Sequence, residues 1–228
     1  MDENYIKDLF DKKIICPVCN STFHQKVVKV KSPRIISKDS DFFIRYKAIN
    51  PYFYDVWICN SCGYSSLKSE FFKLRDFQKN QILENISPKW SKKNYPEILN
   101  VDNAIERYKL ALITSNIINK RATISAIITL KLAWMYRLKK DSNLETFFLE
   151  KSLTCFLDAF YNDPFPIFGL QRDGLTYLIG DLYKRLNDNK NAILWFSQVI
   201  TSINASPKIK EMARTAKYNL KNLEIKNV

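Results

Sequence analysis

Two Cys-x-x-Cys motifs in the first third of the chain limit its folding more than any other feature. They read Cys16-Pro-Val-Cys19 and Cys59-Asn-Ser-Cys62. Two residues between cysteines allow a tight turn whose backbone amides point at the sulfurs, and two facing turns complete a tetrahedral site of four thiolates. The spacing therefore predicts a zinc ribbon with one structural Zn²⁺ per chain, bound by Cys16, Cys19, Cys59 and Cys62.

The separation of the motifs leaves alternatives to consider. They stand 39 residues apart, more than the usual ~15–20, so the ribbon must carry an inserted β-segment. A dithiol redox site usually has one such motif beside a βαβ unit, which this region lacks. His24, the only histidine, could replace one cysteine ligand, although four already suffice. Cys155 stands alone in a helical pattern, where a buried thiol without a role is expected.

The sequence shows none of the usual catalytic motifs, and an enzyme would need a role for Asp39, Asp41 and Asp55 that the sequence does not define. Four thiolates close the coordination shell of zinc, whereas a catalytic zinc keeps one position open for water. The chain has no second histidine, no glycine-rich phosphate loop and no nucleophile elbow, so hydrolase and kinase chemistry lack their usual groups. We expect a protein that is not an enzyme.

The hydrophobic period changes near residue 100. Before it, segments rich in β-branched and aromatic residues predict strands at 23–30, 42–46 and 54–58, followed by a helix at 71–86. After it, the spacing is helical and predicts six helices. Their ranges are 102–119, 122–140, 144–161, 173–186, 190–203 and 207–225.

These patterns predict an α+β protein that is mainly α. The expected organisation is a zinc-ribbon-like module with a β insert and a trailing helix at 1–86, a linker at 87–100 rich in Pro, Lys and Asn, and a helical domain at 101–228. Separate cores are expected for the two domains.

A repeat-like pattern lies in the helical part. Gly180-x2-Tyr183, then Ala192-x3-Phe196, resembles the tetratricopeptide pattern of a small residue, an aromatic, and Ala and Phe on the next helix. We expect Gly180 and Ala192 to face each other across a helical hairpin. Fainter copies at 132–164 and 104–111 have irregular spacing, so ordinary bundle packing stays an alternative.

The net charge of +13 suggests nucleic-acid binding, but the excess is +6 over residues 1–99 and +7 over 100–228. A lysine-rich composition alone explains positive charge that is spread evenly along the chain, so no nucleic-acid partner is needed to account for it. Basic side chains are still clustered within residues 26–47. Such a cluster is more often a solvated face of the protein, and a phosphate-binding surface is the alternative. Nearby aromatic side chains offer either stacking surfaces or a small core: Phe42, Phe43, Tyr46, Tyr52 and Phe53.

The expected location is the cytoplasm. The longest apolar run, 124–136, is broken by polar residues well before the ~20 apolar residues of a membrane span. The N-terminus is acidic where a signal peptide is basic. In the reducing cytoplasm, closely spaced cysteines are better read as metal ligands than as disulfides.

Several segments along the chain form a specific combination of motifs. They are 16–19, 38–42, Tyr46, 50–51, 54–59, 62–64 and 131–137. Together they resemble a bacterial family called domain of unknown function 2225, and the likeness covers nearly the full chain, although Asn20 stands where a glycine commonly follows the first cysteine pair. The resemblance implies a cytosolic zinc-ribbon and helical-repeat protein and brings no known activity.

Function must then be argued from architecture. Stacked helical hairpins form grooves that usually hold a peptide or helix of a partner protein. We therefore expect a non-enzymatic, zinc-binding adaptor or scaffold with a protein partner. The alternative is a nucleic-acid-binding zinc-ribbon protein whose basic insert contacts phosphate.

Overall fold

The computed structural model describes residues 3–226, with side chains from 6 to 222. Within this range the chain forms seven α-helices and three two-stranded antiparallel sheets. All three sheets precede the first α-helix of the chain. The predicted class, α+β and mainly α, is confirmed.

The three sheets come from six short strands. β1 pairs with β2 from Leu9↔Val28 to Ile15↔Thr22, which brings the first cysteine motif to the turn of the hairpin. β5 and β6 pair from Val56↔Leu67 to Ile58↔Ser65, with the second motif in their turn. The strands are β1 Leu9–Ile15, β2 Thr22–Val28, β3 Ile35–Lys38, β4 Ile44–Tyr46, β5 Val56–Ile58 and β6 Ser65–Leu67.

The strand predictions were correct in place and inexact in extent. The strand predicted at 42–46 begins only at Ile44, because Phe42 has a φ of 69°, a left-handed conformation that interrupts a strand. The strand predicted at 54–58 begins at Val56 because a 3₁₀ helix, Pro51–Tyr54, precedes it. β1, β3 and β6 were not among the predicted strands; β3 and β6 have four and three residues, which are too few for a period to show.

The helices follow the predicted pattern closely. Each of the six predicted after residue 100 is present within three residues of its expected ends, while the helix predicted at 71–86 begins later, at Asp76. The side chain of Asn100 accepts from the Asn103 amide and caps α2. The helices are α1 Asp76–Asn85, α2 Val101–Ile117, α3 Ala122–Lys139, α4 Ser142–Asn162, α5 Arg172–Arg185, α6 Asn189–Thr201 and α7 Pro207–Lys226.

The chain divides into two compact units. The first takes the residues up to 39 with 43–120 and 134–141, and the second takes 40–42, 121–133 and 142 onward. The first unit thus includes α2, which the sequence analysis assigned to the helical domain. Independent folding of the domains expected from sequence stays a prediction.

The core of the first unit surrounds the cysteines. Ile14, Trp57, Tyr64 and Phe71 are all buried in one cluster with them. The Tyr64 and Phe71 rings lie 4.6 Å apart, and the Tyr64 hydroxyl donates to the Phe71 carbonyl at 2.9 Å. The two cysteine turns are therefore fixed by a hydrophobic core as well as by their own backbone bonds.

In the second unit, α5 packs against α6 at a glycine. A Cβ added to Gly180 would lie 2.9 Å from the Phe196 ring and 3.3 Å from the Trp195 Cβ. The predicted hairpin is present, and Ala192 is fully buried on α6. The three atoms nearest to an added Cβ belong to Phe196 and Trp195, and the facing of Gly180 and Ala192 stays a prediction.

A three-residue segment of the basic insert, Ser40–Phe42, belongs to the second unit. Its serine hydroxyl donates to Asp181 at 2.9 Å and accepts from Arg185 at 3.0 Å. Its phenylalanine ring lies 5.6 Å from the Tyr177 ring. This segment covers one face of α5 and helps to bury Asp181 completely.

Across the described residues, no helix combines the length and the apolar character that crossing a membrane requires.

Candidate metal centre

Four sulfurs form one cluster in the first unit. The ligand atoms of Cys16, Cys19, Cys59 and Cys62 all lie within 4.8 Å of one another. The Sγ atoms of Cys16 and Cys62 are 3.7 Å apart, and those of Cys19 and Cys59 are 3.6 Å apart. A tetrahedral zinc with Zn–S bonds of about 2.3 Å has sulfurs about 3.8 Å apart. The cluster is therefore compatible with one metal ion.

The first turn is shaped by its backbone. The Cys16 amide donates to the Ser21 carbonyl at 2.9 Å, and the Asn20 amide donates to the Cys16 carbonyl at 3.0 Å. The Val18 amide points at the Cys16 sulfur at 3.4 Å. Asn20 has a φ of 58°, and asparagine tolerates this left-handed conformation better than most residues. The asparagine in place of the usual glycine therefore leaves the turn intact.

The second turn repeats this arrangement with a glycine. The Gly63 amide donates to the Cys59 carbonyl, and the Cys59 amide to the Tyr64 carbonyl, both at 2.8 Å. Gly63 has a φ of 77°, and an added Cβ would lie 2.7 Å from the Trp90 ring. Positive φ and the close approach of the indole both require glycine here.

Ser21 was not identified from the sequence. Its Oγ lies 3.0 Å from the sulfur of Cys19 and 3.3 Å from that of Cys59. A hydroxyl at these distances can donate to a thiolate, and such partners of metal ligands raise affinity by orienting and stabilising them. Its only sequence signal is its position two residues after the first motif.

The thiols also act on one another. The pKa of Cys59 is held far below its usual value, first because Cys16 donates a hydrogen bond to it and then because Cys62 does. The same bond to Cys59 is the main reason that the pKa of Cys16 rises to about 12. The pKa of Cys62 is raised above all by its bond with Cys16. The hydrogen bonds among these three thiols therefore favour ionisation of Cys59 over that of Cys16 and Cys62.

A family model described as "Uncharacterized protein conserved in bacteria (DUF2225)" matches residues 9–220. The chain belongs to the DUF2225 family. The resemblance seen in the sequence is thereby confirmed. No curated protein and no solved structure gives a significant match to this DUF2225 chain.

The segment expected to be a linker contacts the second cysteine turn of the DUF2225 chain. The Ser87 hydroxyl donates to the Cys62 carbonyl at 3.0 Å, and the Trp90 indole donates to the Asn60 carbonyl at 3.0 Å. These bonds, with the indole packed on Gly63, hold the turn from outside. This role could not be predicted from the sequence, because a single tryptophan in a Pro- and Lys-rich stretch has no periodic context.

The remaining candidate residues lie elsewhere. His24 is exposed on β2 and lies outside the four-cysteine cluster. Cys155 is on α4, and burial raises the pKa of its thiol. Neither belongs to the metal centre.

The aromatic residues of the insert are used mainly for packing. Phe43 is completely buried, with its ring 5.2 Å from the Trp134 ring. The Tyr52 ring lies 5.3 Å from Trp134 and 5.8 Å from Tyr46, and Phe53 packs on the hydrophobic cluster of Tyr54. Of the two uses that the sequence left open, these rings serve as a small core, which leaves less surface for stacking on bases.

Basic side chains of the insert are partly engaged within the protein. Lys26 lies 3.0 Å from Asp11 and 3.0 Å from Glu97, and Arg45 lies 2.9 Å from Asp39. Lys31 and Arg34 are exposed. Contact of the insert with nucleic acid stays a prediction.

Proposed function

We propose that this DUF2225 protein is a non-enzymatic adaptor that carries one structural zinc ion and offers a helical surface to a partner protein. The observation that best supports the proposal is the four-sulfur cluster, because the distances between its Sγ atoms suit a closed tetrahedral shell. A closed shell leaves no position for a substrate, so the metal supplies rigidity. The proposal includes a cytoplasmic location, where thiols stay reduced.

Because Ser40–Phe42 covers one face of α5, we place the proposed partner surface on α6 and α7. On these helices Leu194 and Tyr218 are 54% and 66% exposed. Lys217 donates to the Ser197 hydroxyl at 2.8 Å. The part of α7 around Lys217 therefore lies beside the part of α6 around Ser197. Leu194 is about one turn from Ser197, and Tyr218 follows Lys217. Exposed apolar side chains of this kind support docking of a partner helix or peptide.

Charge defines the chemistry of the partner. The described side chains of α7 include five basic residues and one acidic residue, Glu211, which lies 3.4 Å from Arg214. The excess of positive charge on the helix that carries Tyr218 favours an acidic segment with apolar anchors. The basic residues are Lys208, Lys210, Arg214, Lys217 and Lys221.

The test is affinity capture of the tagged full-length protein from its own bacterium, with and without nuclease. Leu194→Glu combined with Tyr218→Glu should abolish capture of a defined protein, since both changes place negative charge on the proposed surface. Phe72→Glu is the matched control, because Phe72 is an aromatic residue of the first unit with 58% exposure.

The captured protein should also bind the purified wild type directly and saturably, through an acidic segment. Capture that survives the double variant, or that disappears with nuclease, would contradict the proposal. The second result would favour nucleic-acid binding.

A further inference from the structure

The first unit contains a cavity of about 230 Å³ apart from the cysteine cluster. It is bordered by the β1–β2 hairpin, the end of β5, the segment 93–99 and α2. Among its lining side chains are Arg107, Tyr95, Gln25 and Lys26. Its size is below the ~300–1,000 Å³ of pockets for drug-sized ligands, so it suits a small ligand.

Arg107 is the central group of this cavity. It is 4% exposed, and its Nη2 donates to the Gln25 Oε1 at 2.7 Å and to the Val56 carbonyl. Both acceptors are neutral, and in the described part of the chain no carboxylate forms a salt bridge with Arg107. Burial lowers the pKa of Arg107 to about 10, so it remains a cation at neutral pH.

Two polar atoms in this cavity have no hydrogen-bond partner. The Nε of Arg107 and the hydroxyl of Tyr95 are both buried and make no hydrogen bond within the usual distance. Burial, and then the nearby Glu106 carboxylate, raise the pKa of Tyr95, so its hydroxyl keeps its proton and can donate. The two groups belong together, because the Arg107 guanidinium lies 5.0 Å from the centre of the Tyr95 ring. Buried groups without partners cost free energy, so their presence in one cavity needs an explanation.

We propose that this cavity binds a small oxyanion, a carboxylate or a phosphate, through Arg107 and Tyr95. Both unsatisfied groups can donate, and an oxyanion accepts several hydrogen bonds at once. A water molecule could also satisfy the two donors, but only an anion would add a close counter-charge, because the nearby Glu106 carboxylate forms no salt bridge with Arg107 and is already paired with Lys93. An oxyanion would accept hydrogen bonds from both donors and would also balance the charge of Arg107.

The edge of the cavity restricts the ligand further. Lys26 lies 3.0 Å from both Asp11 and Glu97, and Lys93 forms a salt bridge with Glu106. These lysines are already neutralised, and the acidic groups beside them disfavour a large polyanion. The favoured ligand is therefore a small anion, or a small molecule that presents one carboxylate or phosphate group.

This inference does not depend on the proposed adaptor function. The cavity lies within the first unit, whereas the proposed partner surface is on α6 and α7 of the second.

The test uses metal-loaded, ¹⁵N-labelled full-length protein, titrated with inorganic phosphate and with acetate at constant ionic strength. The Arg107 Nε–H resonance is the direct readout, because a hydrogen bond to an oxyanion shifts it downfield. Chloride at equal ionic strength is the control. Saturable shifts with phosphate alone, or with acetate alone, would support the site and identify the group that it prefers.

Tyr95→Phe is the decisive variant, since it removes a hydroxyl without an internal partner and should leave folding intact. It should weaken binding about tenfold, the value of a hydrogen bond to a charged group. Tyr218→Phe, at an exposed tyrosine of α7, should leave binding unchanged. Arg107→Gln should abolish the binding.

Two results would overturn the inference. One is a shift that grows linearly and equally with phosphate, acetate and chloride. The other is saturable binding that Tyr95→Phe leaves unchanged. If Arg107→Gln does not fold, the comparison of Tyr95→Phe with Tyr218→Phe still decides.

Discussion

The hydroxyl of Ser21 lies 3.0 Å from the thiol sulfur of Cys19. We predict that Ser21→Ala weakens zinc binding about tenfold, because partners of metal ligands typically contribute at least that factor. Zinc affinity would be measured by competition with a chromophoric chelator.

Ser61→Ala is the control for this prediction, because Ser61 is an exposed serine in the second cysteine turn. It should leave zinc affinity unchanged. Equal affinities for wild type and Ser21→Ala would show that the hydroxyl does not act on the metal.

Metal content is the second prediction. We expect about one zinc per chain by elemental analysis, since four thiolates make one closed site. Cys16→Ser and Cys62→Ser should each lose the metal and destabilise the surrounding core, in which Cys16 is fully buried and Cys62 is 3% exposed. Helical circular dichroism should remain largely intact.

Cys155→Ser should keep the wild-type zinc content, because Cys155 lies outside the cluster. A folded wild type that is free of zinc and has four reactive thiols would exclude the proposed metal centre.

The third prediction concerns two glycines of α5. Gly180→Ala should destabilise the protein by about 1–3 kcal/mol, the usual range for overpacking, since the new methyl would meet the Phe196 ring at 2.9 Å. Gly174→Ala is the control, because its methyl would meet only the flexible Leu170 side chain, at 3.3 Å. It should be neutral or stabilising by up to about 1 kcal/mol, since alanine favours helices over glycine.

Thermal or urea unfolding measures both glycine variants. Equal stabilities for Gly180→Ala and Gly174→Ala would mean that α5 and α6 do not approach each other closely at Gly180.

The fourth prediction concerns salt. We expect only weak, sequence-independent association with nucleic acid, lost near physiological ionic strength, because phosphate contacts release counterions. Fluorescence anisotropy at increasing salt would measure it. If the basic insert were a nucleic-acid site, replacing Lys29, Lys31 and Arg34 by Glu would abolish the binding. Tight binding of the wild type at physiological salt would instead promote the nucleic-acid alternative.

The sequence predicted the helices and the cysteine cluster well, because both depend on local spacing. The periodic apolar pattern predicted α2 to α7, and the spacing of the two cysteine motifs predicted that the four sulfurs lie together. It did not predict Trp90 or Arg107, whose roles depend on contacts with Asn60 and Val56, at least 30 residues away. It also did not predict that α5 would be covered by the insert, since nothing local in Ser40–Phe42 indicates a partner near residue 181.

The cover on α5 has a consequence for how the chain reaches its native state. The serine of Ser40–Phe42 bonds to a carboxylate 141 residues later, so this contact forms only after most of the chain has been synthesised. Contacts of such high sequence separation slow folding. A fragment that starts at residue 101 would lack the covering segment altogether, leaving Asp181 with fewer partners. Expression of the helical part alone would therefore give a less stable product than the same residues in the full chain.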